Sequence, residues 1–340
     1  MKKIDAFCHV LPRNYADKLF QIDDSPVARN VQKRVGGIPA LVDMDVRFQF
    51  MDEFGPDYRQ IINTAAPPLD DLGPASRVTE LARVANDGMA EMVRDHPDRF
   101  AGFCAAVALS DVDEAIAEAE RAFDELGAVG VQIYTHFQGG PMDQERFFPF
   151  YEAIARRGKL IQVHPCRDSS WADYKTEERS KFEIWWTLGW EYDLAAFMSR
   201  LVFAGIFERI PDIKILIHHG GAMIPHFAGR VGPGWDQLGA RTPSDQADDV
   251  AGYPLTRRPL DYFKEFYVDT AYFGAGDPMR TALRFFGVER TLFASDSPFD
   301  PEKGPGYIRS TIANLDEMDI LDDSDREAIY HTNVERLLGL

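Results

Sequence analysis

The sequence predicts an α/β fold of the (β/α)8 TIM-barrel type, and three observations lead to this prediction. Short apolar runs alternate with segments of helical periodicity, and about eight such strand–helix units follow one another. Eight units with right-handed crossovers close into a barrel. The chain of 340 residues fits one barrel with insertions. Neither a repeat nor a linker divides it, so we expect a single domain over 1–340.

Eight apolar runs predict the strands. Each is short and bounded by turn residues, as strands buried on both faces of a parallel sheet are. In chain order the predicted strands cover 2–8, 60–64, 100–107, 129–134, 160–163, 213–217, 266–268 and 291–294. Several of these runs are followed at once by a histidine or an aspartate, which matters for the site.

Helices are predicted where apolar residues recur every three or four positions. The clearest stripe has apolar residues at 78, 81, 85, 89 and 92. A second stripe begins behind Ser110 and Asp113, which resemble a capping box. In chain order the predicted helices cover 46–54, 78–92, 112–126, 147–156, 194–208 and 278–286.

Two segments depart from the strand–helix alternation. Residues 10–44 include Pro12, Pro26 and Pro39, so we expect an irregular N-terminal excursion over one mouth of the barrel. A Trp-rich insertion with Trp186 near its end follows the fifth or sixth strand. Its aromatic residues either roof a substrate pocket or serve helix packing and a dimer surface. Both interpretations remain open.

The composition excludes several classes of partner. A net charge of -18 argues against nucleic acid and anionic membrane surfaces. No apolar run approaches the ~18 residues of a membrane span, and the N-terminus lacks the apolar core of a signal peptide. Three sparsely spaced cysteines do not form a disulfide framework. We therefore expect a cytoplasmic protein, in which a small anionic substrate would need a local basic clamp.

Four predicted strands end in a residue that can bind a metal ion. These residues are His9, His164, His219 and Asp296. Side chains from different strand ends of a barrel converge over its axis. A single histidine at a strand end is more often a structural residue, but four such residues on four strands favour a site. Imidazole and carboxylate suit zinc, and also manganese or iron.

Several motifs carry a resemblance that runs from end to end of the chain. They are IDAFCHVLP (4–12), GVQIYTH (130–136), VHP (163–165), HHGGAMIPHFAGR (218–230), LFASDSPF (292–299) and TNVERLLGL (332–340). Together they resemble the amidohydrolase-2 branch of the amidohydrolase superfamily, and within it aminocarboxymuconate-semialdehyde decarboxylase and related aromatic-acid decarboxylases. The resemblance implies a distorted (β/α)8 barrel that uses one divalent metal ion, with zinc first and manganese as the alternative, and no organic cofactor.

The resemblance also implies roles for individual residues. His9, His164 and Asp296 would be metal ligands, and Asp296 could in addition take a proton during catalysis. His219 would be the general acid/base, because a histidine exchanges protons near neutral pH with little tuning.

A basic clamp for the substrate carboxylate is implied in the same way. Arg47 and Arg230 match the arginines that hold this group, and guanidinium pairs bidentately with carboxylate. In the decarboxylase the second arginine comes from the neighbouring subunit, which would make the active unit a homodimer. Trp186 is a candidate for contact with a planar substrate. Without the resemblance, each arginine would be interpreted as a surface ion pair.

One departure from the family pattern concerns the first strand. The family opens with H-x-H, whereas this chain has Phe7, Cys8 and His9. Phenylalanine cannot bind a metal, and Cys8 would face the other way on a strand. One ligand is therefore missing, although three protein ligands plus water can form a catalytic site.

Three functions follow from these observations. The first is a metal-dependent decarboxylase of a small aromatic or muconate-like acid. The second is a metal-dependent hydrolase or hydratase of a ring lactone, an amide or an unsaturated diacid, which would use the same residues. The third, motivated by Phe7, is a metal-free relative that binds a ligand.

Overall fold

In a computed structural model, which describes residues 1–22, 32–33 and 35–340, an eight-stranded parallel sheet is rolled into a barrel. Each strand pairs with the next along the chain. The strands are β1 (Lys3–Val10), β2 (Tyr58–Thr64), β3 (Phe100–Ala106), β4 (Gly130–Tyr134), β5 (Leu160–His164), β6 (Lys214–Ile217), β7 (Tyr267–Asp269) and β8 (Thr291–Leu292). The prediction of a (β/α)8 barrel is confirmed.

The first strand and the segment after the last strand close the barrel. The Ala6 amide donates to the Phe293 carbonyl and the His9 amide to the Ser297 carbonyl, each at 2.8 Å. The register of β1 against β2 shifts between Asp5 and Cys8. The barrel is therefore distorted at β1, just below His9.

The barrel interior is apolar at the bottom and polar beneath the carboxyl ends of the strands. Ile4, Leu160 and Leu292 belong to a buried cluster formed mainly by strand residues. Nearer the carboxyl ends, Asn63 donates to Gln162 across the barrel at 2.9 Å, and Gln162 donates to the Ala6 carbonyl at 2.7 Å. Because side chains alternate along a strand, Gln162 lies one layer below His164 on the same face. These bonds tie opposite walls together under the site.

Helices surround the barrel and cover its outer face. Where predicted, they pack apolar stripes against the strands, as the α4 residues Ala115, Ala119 and Phe123 do. The helices are α1 (Arg13–Phe20), α2 (Met44–Met51), α3 (Ala75–Asp95), α4 (Val112–Asp124), α5 (Phe148–Arg156), α6 (Ile184–Thr187), α7 (Gly189–Phe203), α8 (Ile206–Arg209), α9 (Ala228–Trp235), α10 (Pro259–Tyr262), α11 (Gly276–Phe286), α12 (Pro305–Glu317), α13 (Asp323–Glu327) and α14 (Asn333–Leu338). No helix in the described ranges is long and apolar enough to span a bilayer.

The N-terminal excursion is more regular than the sequence suggested. Pro12 precedes helix α1, which buries Tyr15 and Leu19 against α3. A proline just before or at the start of a helix costs no hydrogen bond, so Pro12 opens α1 rather than disrupting it. The expectation of irregular structure was wrong for this helix, while Pro26 lies outside the described residues.

The Trp-rich segment follows β5 and leads into α6 and α7. The helix predicted over 194–208 begins earlier, at Gly189, and is interrupted near Gly205. Gly205 has a left-handed backbone (φ 76°), and a Cβ there would lie 2.4 Å from the Tyr253 ring. Only glycine fits this break, which separates α7 from α8.

Candidate metal centre

Four side chains from different strand ends converge at the top of the barrel. One potential ligand atom from each of His9, His164, His218 and Asp296 lies within 4.8 Å of the other three, and all four residues are buried. The His9 Nε2 and Asp296 Oδ1 atoms are 3.0 Å apart, and His218 Nε2 is 3.3 Å from the same oxygen. The structure thus brings together the three predicted ligands and adds His218.

The tautomers of the three imidazoles follow from their other ring nitrogens. In each ring Nδ1 faces an oxygen that can only accept, so Nδ1 carries a proton and Nε2 is the nitrogen available to a cation. These pairs are His9 with the Thr64 carbonyl at 3.3 Å, His164 with the Pro165 carbonyl at 2.5 Å, and His218 with the Asp269 carboxylate at 2.5 Å.

This arrangement fits a divalent cation. Within the described part of the chain, His9 Nε2, His218 Nε2 and Asp296 Oδ1 are buried and have no hydrogen-bond partner. Buried polar atoms are almost always paired, because burying an unpaired one costs about 1–3 kcal/mol. The lone pair of His9 Nε2 and the Asp296 carboxylate repel each other unless a cation lies between them. Nitrogen and oxygen donors in this number are typical of zinc and manganese sites.

The pKa values of three of these residues favour the metal-binding protonation state. Burial lowers the pKa of His9, although Asp296 opposes the shift. Burial and the neighbouring His9 and His218 hold the pKa of His164 well below its ordinary value. Burial alone would raise the pKa of Asp296, but His218 and His9 outweigh it and keep that pKa well below its usual range. These imidazoles are neutral and the carboxyl is ionised at neutral pH.

His218 differs, because it lies between two carboxylates. Burial lowers its pKa, but Asp269 and Asp296 outweigh burial and raise it to about 10. In the absence of a cation, His218 therefore carries the positive charge that these carboxylates require. A metal ion would replace that proton, as is general when a protonated ligand binds a metal.

His219 lies beside the four-residue cluster. Its ring stacks on that of His218 at 3.8 Å, and its Nδ1 faces the Ala271 carbonyl at 3.1 Å. Its Nε2 is buried and has no hydrogen-bond partner among the described residues. Burial and His218 lower the pKa of His219 to about 4, so the imidazole is neutral with its lone pair on Nε2. The position is compatible with proton transfer to a molecule above the cluster.

The backbone is strained after β6 and after β8, at His219 and Asp296. His219 (φ 54°) and Asp296 (φ 63°) both adopt left-handed conformations, which cost a residue other than glycine about 1–2 kcal/mol. Gly220 follows with φ 60°, and a Cβ there would lie 1.8 Å from the Tyr272 hydroxyl oxygen. Gly220 and Gly221 (φ 77°) form a tight turn. Such conformations cluster at functional sites, where they aim side chains.

The other predicted site residues have different surroundings. Arg47 is fully buried and donates to Gln60 at 2.8 Å and to the His9 carbonyl at 2.8 Å, while its Nη2 has no hydrogen-bond partner in the described ranges. Arg230 is exposed on α9. Trp186 is 37 % exposed on α6. The single chain brings neither of these two into the four-residue cluster.

Trp190 is the tryptophan that borders the cluster. Its ring lies 5.4 Å from that of His164 and 6.1 Å from that of Trp186. Its indole nitrogen donates to the Arg167 carbonyl at 2.9 Å. The Trp-rich segment therefore contacts the site through Trp190. Trp186 contacts Trp190 and lies further from His164 than Trp190 does.

The sequence interpretation missed His218 and Asp269. His218 belongs to the HHGGAMIPHFAGR motif, but of this histidine pair the resemblance implies a role only for His219. Asp269 ends β7, so the signal that found Asp296, a carboxylate at the end of an apolar run, was present here too.

The cysteines near the site are not poised for nucleophilic chemistry. Burial and Asp5 raise the pKa of the Cys8 thiol well above its ordinary value, and burial and Asp193 do the same for Cys166. A thiolate is the reactive form, so both thiols are inert at neutral pH. Cys166, His136 and Asp193 form a second buried group, in which Asp193 accepts from Thr135.

Comparisons with known proteins agree with this geometry. A family model described as Amidohydrolase matches residues 4–340. Gamma-resorcylate decarboxylase of Rhodococcus jostii is 31% identical over 306 residues, which is 87% of each chain. 2-Amino-3-carboxymuconate-6-semialdehyde decarboxylase of Dictyostelium discoideum is 23% identical over 99% of this chain and 92% of its own.

Solved structures show the same fold. The 5-carboxyvanillate decarboxylase of Sphingomonas paucimobilis superposes with a TM-score of 0.83 at 24% identity, covering 100% of this chain and 99% of its own. A dihydroxybenzoic acid decarboxylase of Polaromonas sp. JS666, with bound manganese and the inhibitor 2-nitroresorcinol, has a TM-score of 0.75 at 25% identity, covering 100% of this chain and 97% of its own.

Proposed function

The chain belongs to the amidohydrolase family, and from that premise we propose that it is a metal-dependent decarboxylase, a carbon–carbon lyase for a small aromatic or muconate-like acid. The observation that carries the proposal is the convergence of three imidazoles and one carboxylate, with a further imidazole stacked beside them. Relatives named as decarboxylases support the reaction class. The catalytic domain would comprise the whole chain.

We assign the binding of the cation to His9, His164 and Asp296. Donor sets of nitrogen and oxygen without thiolate accept zinc or manganese, and the manganese in the Polaromonas decarboxylase supports the latter. When bound, the ion would supply positive charge that polarises an oxygen of the substrate. No organic cofactor enters the proposal.

His219 would move the proton that decarboxylation requires. When the bond between the ring or alkene carbon and the carboxylate breaks, its electron pair stays on that carbon and takes up a proton. The Nδ1–H group of His219 is held by the Ala271 carbonyl, so Nε2 would take up a proton from solvent before the substrate binds and then pass it to that carbon. The burial of His219 and Asp296 would keep bulk water from that exchange.

Two arginines would hold the substrate carboxylate. Arg47 is held in place by its bonds to Gln60 and the His9 carbonyl. Its buried Nη2 group, which has no partner among the described residues, would donate to the carboxylate. Arg230, exposed on α9, would complete the clamp from the second subunit of a homodimer. Trp186, outside Trp190, would contact the planar part of the substrate.

The remaining properties follow from charge and cysteine chemistry. A net charge of -18 supports a small acid as the partner rather than nucleic acid or membrane. All three cysteines are free and buried, which supports a reducing compartment and hence the cytoplasm.

A carboxylic-acid screen tests the reaction class. The protein, loaded with manganese or zinc, would be incubated with 2,6-dihydroxybenzoate, 5-carboxyvanillate and muconate-like acids, and carbon dioxide release would be measured. Ring lactones and amides serve as the comparison set. Release of carbon dioxide supports the lyase, whereas water uptake by the comparison set alone would assign a hydrolase or hydratase.

His219→Asn tests the proton carrier. The variant should keep its metal content and fold, because His219 is not one of the four clustered residues, but it should lose turnover. The exposed His226→Asn variant is the matched control. Unchanged turnover in His219→Asn would reject the acid/base role.

A further inference from the structure

We propose that His218 is a metal ligand that replaces the one lost at Phe7, so that the metal shell keeps four protein donors. The inference rests on the proposed metal-dependent function and extends it. The replaced ligand would lie on β1, whereas His218 follows β6, so the donor has moved to another part of the barrel wall.

Phe7 and His218 are in direct contact. Their rings stack with centroids 3.8 Å apart and an interplanar angle of 10°. Both side chains are fully buried. The side chain at position 7 therefore forms the wall on which the His218 imidazole rests. An apolar ring therefore stands at the family's donor position, and the imidazole of His218 reaches it from a strand on the far side of the barrel.

Asp269 orients His218 towards the cluster. One carboxylate oxygen of Asp269 accepts the Nδ1 proton of His218 at 2.5 Å. Its other oxygen accepts from the Gly220 amide at 3.2 Å and the Ala271 amide at 3.1 Å. The carboxylate is thus fixed by backbone groups, and metal-binding histidines commonly donate their other ring N–H to such a carboxylate, which fixes the orientation of the ring.

The free nitrogen of His218 points at the other ligands. His218 Nε2 is 3.3 Å from Asp296 Oδ1, yet among the described residues it makes no hydrogen bond. Its ring centroid lies 5.7 Å from that of His164 and 6.3 Å from that of His9. With Asp296 these residues offer three nitrogens and one oxygen, the donor number of a four-coordinate site with no thiolate.

His218 and His219 would have different roles, metal binding for His218 and proton transfer for His219. His218 belongs to the group of mutually close ligand atoms, whereas His219 stacks on its outer side. His219→Asn is therefore a matched control for His218→Asn, since it makes the same substitution one residue away. A purely structural role for His218 would not distinguish the two variants in metal binding.

Metal affinity and ligand spectroscopy test the proposal. Manganese and zinc dissociation constants would be measured by competition with a chelating dye for the native chain, His218→Asn, His219→Asn and His9→Asn. His218→Asn should weaken affinity by more than the about 10–100-fold that loss of an outer-shell partner costs, and His219→Asn should change it by less than about threefold. In the manganese-loaded protein, electron spin-echo modulation should report one imidazole fewer if His218→Asn retains any metal.

A double variant distinguishes the loss of a ligand from misfolding. Phe7→His in the His218→Asn background should recover metal affinity, because it returns an imidazole to the family position in a space that already holds a larger ring. Circular dichroism checks the fold of each variant. Recovery supports the exchange, and no recovery in a folded double variant counts against it.

The outcomes separate this inference from the proposed function. If the native chain and His218→Asn bind metal equally while His9→Asn does not, the inference fails and the metal-dependent function stands. If the native chain binds neither metal, His218 is a protonated bridge between two carboxylates, and both proposals fail.

Discussion

Two buried carboxylates of the barrel, Asp5 and Asp296, have opposite surroundings. Asp5 accepts from the Tyr58 hydroxyl at 2.8 Å, from the Ser295 amide at 3.0 Å and from the Ser295 hydroxyl at 2.5 Å. Asp296 instead faces two imidazole nitrogens at 3.0 and 3.3 Å, and its Oδ1 has no hydrogen bond within the described ranges. The described donors around Asp5 are hydroxyl and amide groups of the protein, whereas the nitrogens around Asp296 are imidazole atoms that can bind a cation. Both carboxylates are buried, so burial does not distinguish the structural network from the binding site. What distinguishes them is whether their oxygens have hydrogen-bond donors.

Removing the cation or its carboxylate should have the largest effect. Asp296→Asn, or dialysis of the native chain against a chelator, should reduce decarboxylation by at least about a thousandfold, at the upper end of what loss of one electrostatic partner costs. Activity and metal content are measured together, and added manganese or zinc should rescue only the native chain. Asp5→Asn is the control and should retain its metal. Metal-free turnover would contradict the comparison.

Removing Asp5 from its hydrogen bonds with Tyr58 and Ser295 should lower stability rather than activity. Asp5→Ala leaves the Tyr58 and Ser295 donors buried without an acceptor, so we expect the free energy of unfolding to fall by about 2–4 kcal/mol. Urea denaturation of the metal-free proteins measures the effect. Added manganese or zinc should stabilise the native chain and Asp5→Ala to the same extent but not Asp296→Ala, because only Asp296→Ala lacks a ligand. Stabilisation of Asp296→Ala by metal would remove the distinction.

The pH dependence of stability should carry the signature of Asp5. Burial raises the pKa of Asp5 above its ordinary value, and the hydrogen bonds from Ser295 and Tyr58 only partly offset the shift. Between its unfolded and folded pKa values the native state therefore holds more protons than the unfolded state, so stability decreases as pH rises through that window. Asp5→Asn cannot titrate and should lose this decrease. Unfolding free energies measured from pH 4 to pH 7 on both proteins check the sign.

Arg230 lies outside both clusters and should show the smallest effect. Arg230→Ala should raise the Michaelis constant for an acidic substrate by about tenfold, the cost of roughly one charge-assisted hydrogen bond. The free energy of unfolding should not change, because Arg230 is exposed. Dilution of the native protein until it dissociates should lower activity in the same way. An unchanged Michaelis constant would remove Arg230 from the clamp.

The sequence predicted most of the barrel, and the reason is visible in the strand ends. His9, His164 and Asp296 each follow a short apolar run, and the carboxyl ends of parallel strands must meet over one mouth of a barrel. The first turn of the excursion was harder to predict, because Pro12 can either end a strand or open a helix. Helix α1 forms because Tyr15 and Leu19 find a buried surface on α3, and this surface is not encoded locally.

His218 could not be placed from its neighbours in the sequence. Adjacent residues of a strand face opposite sides, so a pair of histidines suggests one inward and one outward ring. Strand β6 ends at Ile217, however, and the left-handed conformation of His219 turns the chain so that both rings stack on the same side. That conformation depends on the Gly220 turn against Tyr272, which is a tertiary contact.

The seam between β1 and the end of β8 has a consequence for biosynthesis. His9 lies at the end of the first strand of the barrel and is synthesised long before Asp296, which follows the eighth strand, and the hydrogen bond from the His9 amide to the Ser297 carbonyl holds the two segments together. A cation bound by both residues would link the two segments and stabilise the closed barrel. This stabilisation grows with the logarithm of the ratio of the metal concentration to the dissociation constant of the metal. A chain cut before the eighth strand cannot assemble these donors. Loading with metal would therefore report that the barrel has closed.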